Sequence, residues 1–416
     1  MAGEIDRARA AARMMAAGMD ALLVLAPETF LWATGAPAGV AANWRRLGAA
    51  MALVPADPAR PVGAVVTDLF AGAAEAAGLS PLHVHAIWPE AMDLRAPLAA
   101  GLSLEAAVAA AAASRPADFA RPATFDRDAA LAALGRLARQ MGLEGKRIGM
   151  EMGALPAADA PALQAALPAA SLTDATGLIE RLRAVKSAAE IARLRTAAEL
   201  TEAALRATIP AIRLGATRAA IVRAFQDAVQ AAAAAAGVAG VTSWEYAGFG
   251  AAPWASPGGV AIGDVVKLDV GAVVGGYSAD LARCFTLGPA TPAARRVHES
   301  LAAGFAAGRA ALVPGAPLAG VHAAAIGAVR ACGFPAYARG HVGHGLGASI
   351  WSEEWPYLAA DSDALAEPGM VLAFELPWYL DGLGGFIIED MLLVTTTGVE
   401  TLAGANLPRE LVELQP

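Results

Sequence analysis

Two cysteines among 416 residues, Cys284 and Cys332, are too few and too far apart in sequence to imply a disulfide framework. Charge is also sparse. Only 17% of residues are charged, and the formal net charge of -8 offers no basic stripe to a nucleic acid. Solubility is the simple reading of that charge. Long, strongly apolar runs are missing as well. The hydrophobic share of 56% is largely alanine, as in residues 231–236, and alanine makes soluble helices rather than membrane spans. The opening MAGEIDRARAAARMMAAGMD mixes acids and bases without an apolar signal core. A cytoplasmic protein with no nucleic-acid and no membrane partner is expected.

The length favours two domains. ALLVL (21–25), GAAMALVPA (48–56), VGAVVT (62–67) and RIGMEM (147–152) read as buried strands, with alanine-rich helical segments between them. That alternation predicts an α/β layer around a central sheet. The stretch from Gly177, GLIERLRAVKSAAEIARLRTAAELTEAALRAT, has one charged and one apolar face and predicts a helix that opens the second half. The boundary is placed between residues 174 and 175. Further helices are expected from Thr217, over 292–312 and over 317–332, and strands in MVLAFELPW and GGFIIEDMLLV.

The chemistry begins in VVKLDVGAVVGGYSADLARCF, residues 265–285, where Asp269 and Asp280 each sit in an apolar, β-branched run. A reversal symmetric about Val274 and Gly275 sets the two aspartates directly opposite on one face. Gly275 and Gly276 can supply the positive φ of a tight turn, whereas Val274 resists it, so a slightly longer loop is the alternative. Like charges directly opposed are destabilising, and burying them costs more. For this pair alone, a bulge that sends one acid to solvent is equally admissible. The tail repeats the pattern, with Glu375 in VLAFELPW and Glu389 in FIIEDMLLV about a turn centred on Gly382. His344 lies between glycines in GHVGHGLG. Four carboxylates and one imidazole form a hard donor set with more negative charge than one divalent ion neutralises. Two bridged ions are expected, Mn²⁺ favoured, with Co²⁺, Fe²⁺ or Zn²⁺ possible. Such a pair can share a hydroxide and polarise a carbonyl.

LDVGA…YSADLARCF, GHGLG, FELP and IIEDMLLV, in that order, resemble the "pita-bread" metallopeptidase superfamily of Xaa-Pro aminopeptidases, prolidases, methionine aminopeptidases and creatinase. The linker stretch GLIERLRAVKSAAEIARLRTA and DALLVLAPETFLWATG extend the likeness over nearly the whole chain. The resemblance implies a creatinase-like α/β domain over residues 1–174. It also implies a pita-bread catalytic domain over 175–416, with a curved antiparallel sheet flanked by helices. It further implies a homodimer. By the same resemblance, Asp269 would bind one metal, Asp280 and Glu389 would bridge both, and His344 and Glu375 would complete the second. Glu375 would also accept the proton of the attacking water. Arg283 and Asp390 are candidates to orient these ligands, a surface salt bridge being the alternative.

Three departures stand out. Peptidases of this group carry a histidine seven positions after the metal histidine, where this chain has Trp351. They carry another about fifteen residues before the first aspartate, where the nearest match is Trp254. Prolidases place an arginine two before the last glutamate, and here that residue is Ile387. Loss of one oxyanion donor typically costs ~10²–10³ in rate. His341 is an imidazole that could stand in, at an unusual offset. Trp254, Trp351, Trp355, Trp378 and Tyr379 all fall beside the metal motifs. Core packing explains any one of them, while together they would make an aromatic wall for apolar groups or a small organic cation. Arg45 and Arg46 are candidates for a substrate carboxylate. The expected function is hydrolysis of an amide in a small substrate such as an Xaa-Pro dipeptide. The alternatives are a non-peptidase acting on a betaine- or ectoine-like molecule, and a binding protein without turnover. Gly271 stands where the lyase-type relatives carry an extra acid.

Overall fold

A computed structural model describes residues 3–116, 119–349 and 353–416, and divides the chain into two compact units, Met1–Ile179 and Glu180–Pro416. In the first, six strands form a mixed sheet in the order Leu82–His85, Gly63–Thr67, Ala50–Pro55, Ala21–Val24, Arg147–Met150 and Ser171–Asp174. The four central strands are the four apolar runs read from the sequence. The two edge strands, LHVH and SLTD, are half-exposed and carry too few apolar residues to announce themselves. Helix Arg127–Gln140 lays Leu134 and Leu137 on Leu23, Met51, Val65 and Ile148 to close the core.

The single helix expected from Gly177 is two, Thr176–Ala184 and Ala188–Thr208. Ser187 ends the continuity by capping the second helix. Its hydroxyl accepts from Glu190 N–H at 3.1 Å, and the Glu190 carboxylate accepts from Ser187 N–H at 2.8 Å, a reciprocal capping box. Between the helices, Val185 bridges Met370 and Lys186 N–H donates to Gly369 O at 3.0 Å. Tertiary pairing and a strong cap outweigh helical periodicity here.

The second unit is built on a curled antiparallel sheet. Its main path runs Tyr277–Ser278, Val265–Val274, Leu281–Leu287, Glu389–Val394, Val371–Glu375, His341–Gly345 and Glu354–Ala359. Helix Ala188–Thr208 packs with Arg218–Ala236, and Pro292–Ala311 with Leu318–Ala331, and both pairs flank the sheet. This is the fold class expected from the resemblance. No helix among the described residues is long and apolar enough to cross a membrane.

Register decides which side chains meet. Glu375 pairs with Glu389, as the turn centred on Gly382 requires. The first hairpin differs from the symmetric expectation. Val274 pairs with Tyr277, so the loop is Gly275–Gly276, with φ of 57° and 83°. A β-branched residue is excluded from those angles, so the turn centre moves one residue along the chain. Asp269 therefore faces Ala282 rather than Asp280. An offset of two residues preserves side-chain direction, so both aspartates stay on one face. The ladder is interrupted at Ala279 and Asp280, where the chain closes on Gly271. A Cβ there would lie 2.0 Å from Ala279 O, so only glycine admits the approach.

Alternation puts a second charged group on the opposite face. There Phe374 packs on Phe305 of the Pro292–Ala311 helix at 4.9 Å between ring centroids. Arg283 and Asp390, both buried, pair at 2.7 Å, and the guanidinium also donates to Glu389 O at 2.6 Å and Gly404 O at 2.9 Å. Asp390 receives Arg409 as well. The pair is thus a buried clasp between two strands, not a surface salt bridge. Asp390→Leu should cost about 3–5 kcal/mol, because it strands a buried guanidinium; the midpoint of chemical denaturation measures this.

His298, buried on the same helix, is pushed down to about 4, first by burial and then by Arg283. The unfolded chain therefore binds a proton near the usual histidine pKa that the folded chain refuses. The His298 contribution is intact above about 6.5 and is lost as pH falls toward 4, on the order of 2–3 kcal/mol in all. Compared with wild type, His298→Gln should show a flatter acid limb of stability between those pH values. Parallel stability–pH curves for the two proteins would contradict it.

Candidate metal centre

The register sets five of the expected residues on one face. Asp269, Ala282, Glu389 and Glu375 follow one another across four neighbouring strands. Ala282 keeps the first two acids of that row apart. One row along, Ala373 joins Met391 to His344, and Asp280 reaches the same region from the interrupted end of its strand. The glycines around His344 are needed for packing. A Cβ on Gly343 would meet Ala373 O at 2.2 Å, and one on Gly345 would meet Trp355 O at 2.6 Å. Strands on both sides close in on the histidine.

Asp280, His344 and Glu389 converge, each offering a ligand atom within 4.8 Å of the others. They are 3%, 3% and 1% exposed. His344 Nε2 lies 3.6 Å from Asp280 Oδ2, while Nδ1 donates to Gly345 O at 3.0 Å. That bond fixes the tautomer and leaves the Nε2 lone pair for a metal. Burial holds the His344 pKa below the ordinary histidine value. Burial first, then Asp280, Asp269 and Glu375, raises Glu389 well above the usual carboxylate range. Among the described residues, Glu389 Oε2 is buried without a hydrogen-bond partner. Two carboxylates and a neutral imidazole nitrogen around an orphaned buried oxygen fit a divalent cation.

Glu375, also buried, is pushed up to about 7 by burial, which outweighs the opposing pull of Arg339. Arg339 Nη2 lies 3.2 Å and His341 Nδ1 3.4 Å from Glu375 Oε1. His341 is pushed down to about 4 by burial, with His344 and Arg339 adding to it. Its Nδ1 accepts from Gly343 N–H at 3.3 Å, so the neutral ring carries its proton on Nε2.

Two cations at this site escaped the sequence reading. One is Arg339. The other is Lys267, whose Nζ donates to Asp269 Oδ2 at 2.9 Å and lies 3.5 Å from Tyr379 Oη. Burial pulls the ammonium toward its neutral form, but Asp269 and Tyr379 outweigh it and its pKa ends above the ordinary lysine value. Strand alternation was the available signal, since a lysine two residues before Asp269 must share its face. Lys267 pairs with Cys284, whose sulfur accepts from Ile387 N–H at 3.2 Å. A cation thus stands one strand beyond the position where an arginine was expected. Burial pushes the Cys284 thiol up to about 12, so it stays neutral.

The aromatic residues divide. Trp254 is 65% exposed and stacks on Tyr379 at 4.3 Å. Trp378 packs instead against Phe334 and Tyr337, at 5.1 and 5.0 Å, and Trp355 lies under Arg181 at 4.6 Å. A continuous wall is not formed by these residues, and Trp351 lies outside the described residues. In the first unit, Arg45 is ion-paired with Glu28, and the Arg46 guanidinium lies 5.9 Å from the Trp44 ring centre.

Residues 192–396 match the description of metallopeptidase family M24, and residues 7–185 that of the creatinase/prolidase N-terminal domain. The fold is similar to that of dipeptidase PepE from Mycobacterium ulcerans, with a TM-score of 0.75, 22% identity and full coverage of both chains. An uncharacterized peptidase, YqhT of Bacillus subtilis, is 28% identical over 65% of this chain and 75% of its own length. An Xaa-Pro dipeptidase of Pyrococcus furiosus is 29% identical over 34% of this chain and 40% of its own. With both halves of the chain matched in order and the whole fold shared, this protein belongs to metallopeptidase family M24, the pita-bread enzymes.

Proposed function

We propose that the protein is a divalent-metal-dependent hydrolase that cleaves the amide bond of a small substrate of the Xaa-Pro dipeptide class. One observation carries this reading. Asp280, His344 and Glu389 converge at a buried point, and Glu375, directly paired with Glu389, stands beside it. Mn²⁺ is the favoured ion for a donor set rich in oxygen with one imidazole. Bound there, it would supply Lewis acidity toward a water and a substrate carbonyl. The chain's own residues do the rest. Glu375, buried and poised near 7, suits the acceptor of the water's proton. Arg339, 3.2 Å from Glu375, is a donor for a developing oxyanion, and the neutral His341 offers a second through Nε2–H, on the far side of the ring from its Nδ1 contact with Glu375. The dipeptidase names of the relatives supply the substrate class.

A second reading keeps the fold and the metal but exchanges the dipeptide for a small betaine- or ectoine-like amide. The exposed Trp254 on Tyr379, at the position of a peptidase histidine, favours it, because an open aromatic face attracts an organic cation.

The manganese-loaded protein should hydrolyse Ala-Pro and Gly-Pro and lose that activity on chelation. Asp280→Asn and His344→Ala should lose metal affinity and turnover by ~10²-fold or more. Glu375→Gln should keep metal while kcat falls by ~10²–10⁴. A substrate panel with elemental analysis checks all three. Turnover confined to ectoine-type amides would favour the second reading, and metal-independent turnover would overturn both.

A further inference from the structure

We propose that this centre holds one divalent ion rather than two, and that the Lys267 ammonium takes the place of the second. The inference rests on the metal-centre reading above and narrows it. Two ions were expected because four facing acids carried no visible counter-charge. The structure supplies two. Lys267, 7% exposed at its side chain, binds Asp269 at 2.9 Å, and Arg339 binds Glu375 at 3.2 Å. Those contacts answer two of the four carboxylates with cations built into the chain. Asp280 and Glu389, both buried, lie elsewhere on this face. Together with His344 they make the one group among the described residues whose ligand atoms converge within 4.8 Å. Neither Asp269 nor Glu375 joins such a group.

A second ion at Asp269 would work against two physical costs. The carboxylate would have to share or release Lys267, leaving an ammonium buried with Tyr379 Oη, at 3.5 Å, as its remaining polar contact among the described residues. A dication and an ammonium would also sit on one carboxylate in a poorly screened interior, where like charges repel strongly. Alternation makes the arrangement permanent. Lys267 and Asp269 are two apart in one strand, on the same face, so the ammonium lies at hand in every folded molecule. Lys267 is on this account a positioning residue, which fixes Asp269 and sets the metal count.

The test is metal stoichiometry on the full chain. Chelator-treated protein is titrated with MnCl₂, desalted, and analysed for Mn per chain and by electron paramagnetic resonance. Wild type should saturate at one Mn²⁺ per chain, with the hyperfine pattern of an isolated ion. Lys267→Met, which keeps the length and removes the charge, should take up a second ion and show exchange coupling; Lys267→Gln serves if the first variant fails to fold. Two coupled ions in wild type would overturn the single-ion proposal and leave the metal-centre reading standing. No bound ion would overturn both. One ion in wild type and in the folded variants alike would remove Lys267 from the explanation and so refute its role.

Discussion

Acidic side chains on the inner face of an apolar sheet repel one another, and burial forbids water from screening them. The second unit of this protein is organised around that constraint. Glu375 and Glu389 are direct cross-strand partners, with Asp269 and Asp280 beside them. Left alone, such a face would be a liability of several kcal/mol per uncompensated charge. Its solution is a division of labour. Lys267 and Arg339 answer the two acids at the ends of the row, and the three groups left over enclose a point fit for a cation. Burial that would otherwise destabilise the fold thus produces a carboxylate near neutrality and a histidine kept uncharged, the states a hydrolytic site requires.

Strand alternation also lets one sheet carry a second charged assembly without mixing the two. Residues 282 and 389 face the acidic cluster, while 283 and 390 face the helices. There the Arg283–Asp390 clasp binds the strand that follows Asp280 to the strand that holds Glu389. Because the guanidinium also takes the carbonyl of Glu389 itself, the back of the sheet fixes the height of that carboxylate on its front. Precision in the site comes from strands, whose side-chain directions are set by the ladder, rather than from loops.

Much of this was legible in the sequence, and the failures have physical causes. Apolar runs marked the central strands of the first unit, whereas LHVH and SLTD, being edges, had no need of them. The Glu375–Glu389 register follows from a turn whose centre was identifiable. The first hairpin missed by one position because Val274 cannot adopt the angles that Gly275 and Gly276 do. The helix from Gly177 was overextended, since a capping box at Ser187 and Glu190 lies hidden among helix-compatible residues. Lys267 was overlooked although its spacing from Asp269 announced it. Arg339 was not legible, because only the fold brings its side chain to Glu375. The tryptophans show the limit of proximity in sequence, with Trp254 open on Tyr379 and Trp378 packed on Phe334 and Tyr337.

The claim beneath all of this is that the acidic face is completed by a cation from outside the chain. Calorimetric unfolding of chelator-treated protein, with and without Mn²⁺, addresses it most directly. Binding to the folded state alone should raise the unfolding midpoint saturably, by a free energy of about 2.7 kcal/mol at a hundredfold excess over the dissociation constant. A midpoint that does not move with Mn²⁺ or any other divalent ion would show that the chain neutralises these carboxylates by itself, and would contradict the account.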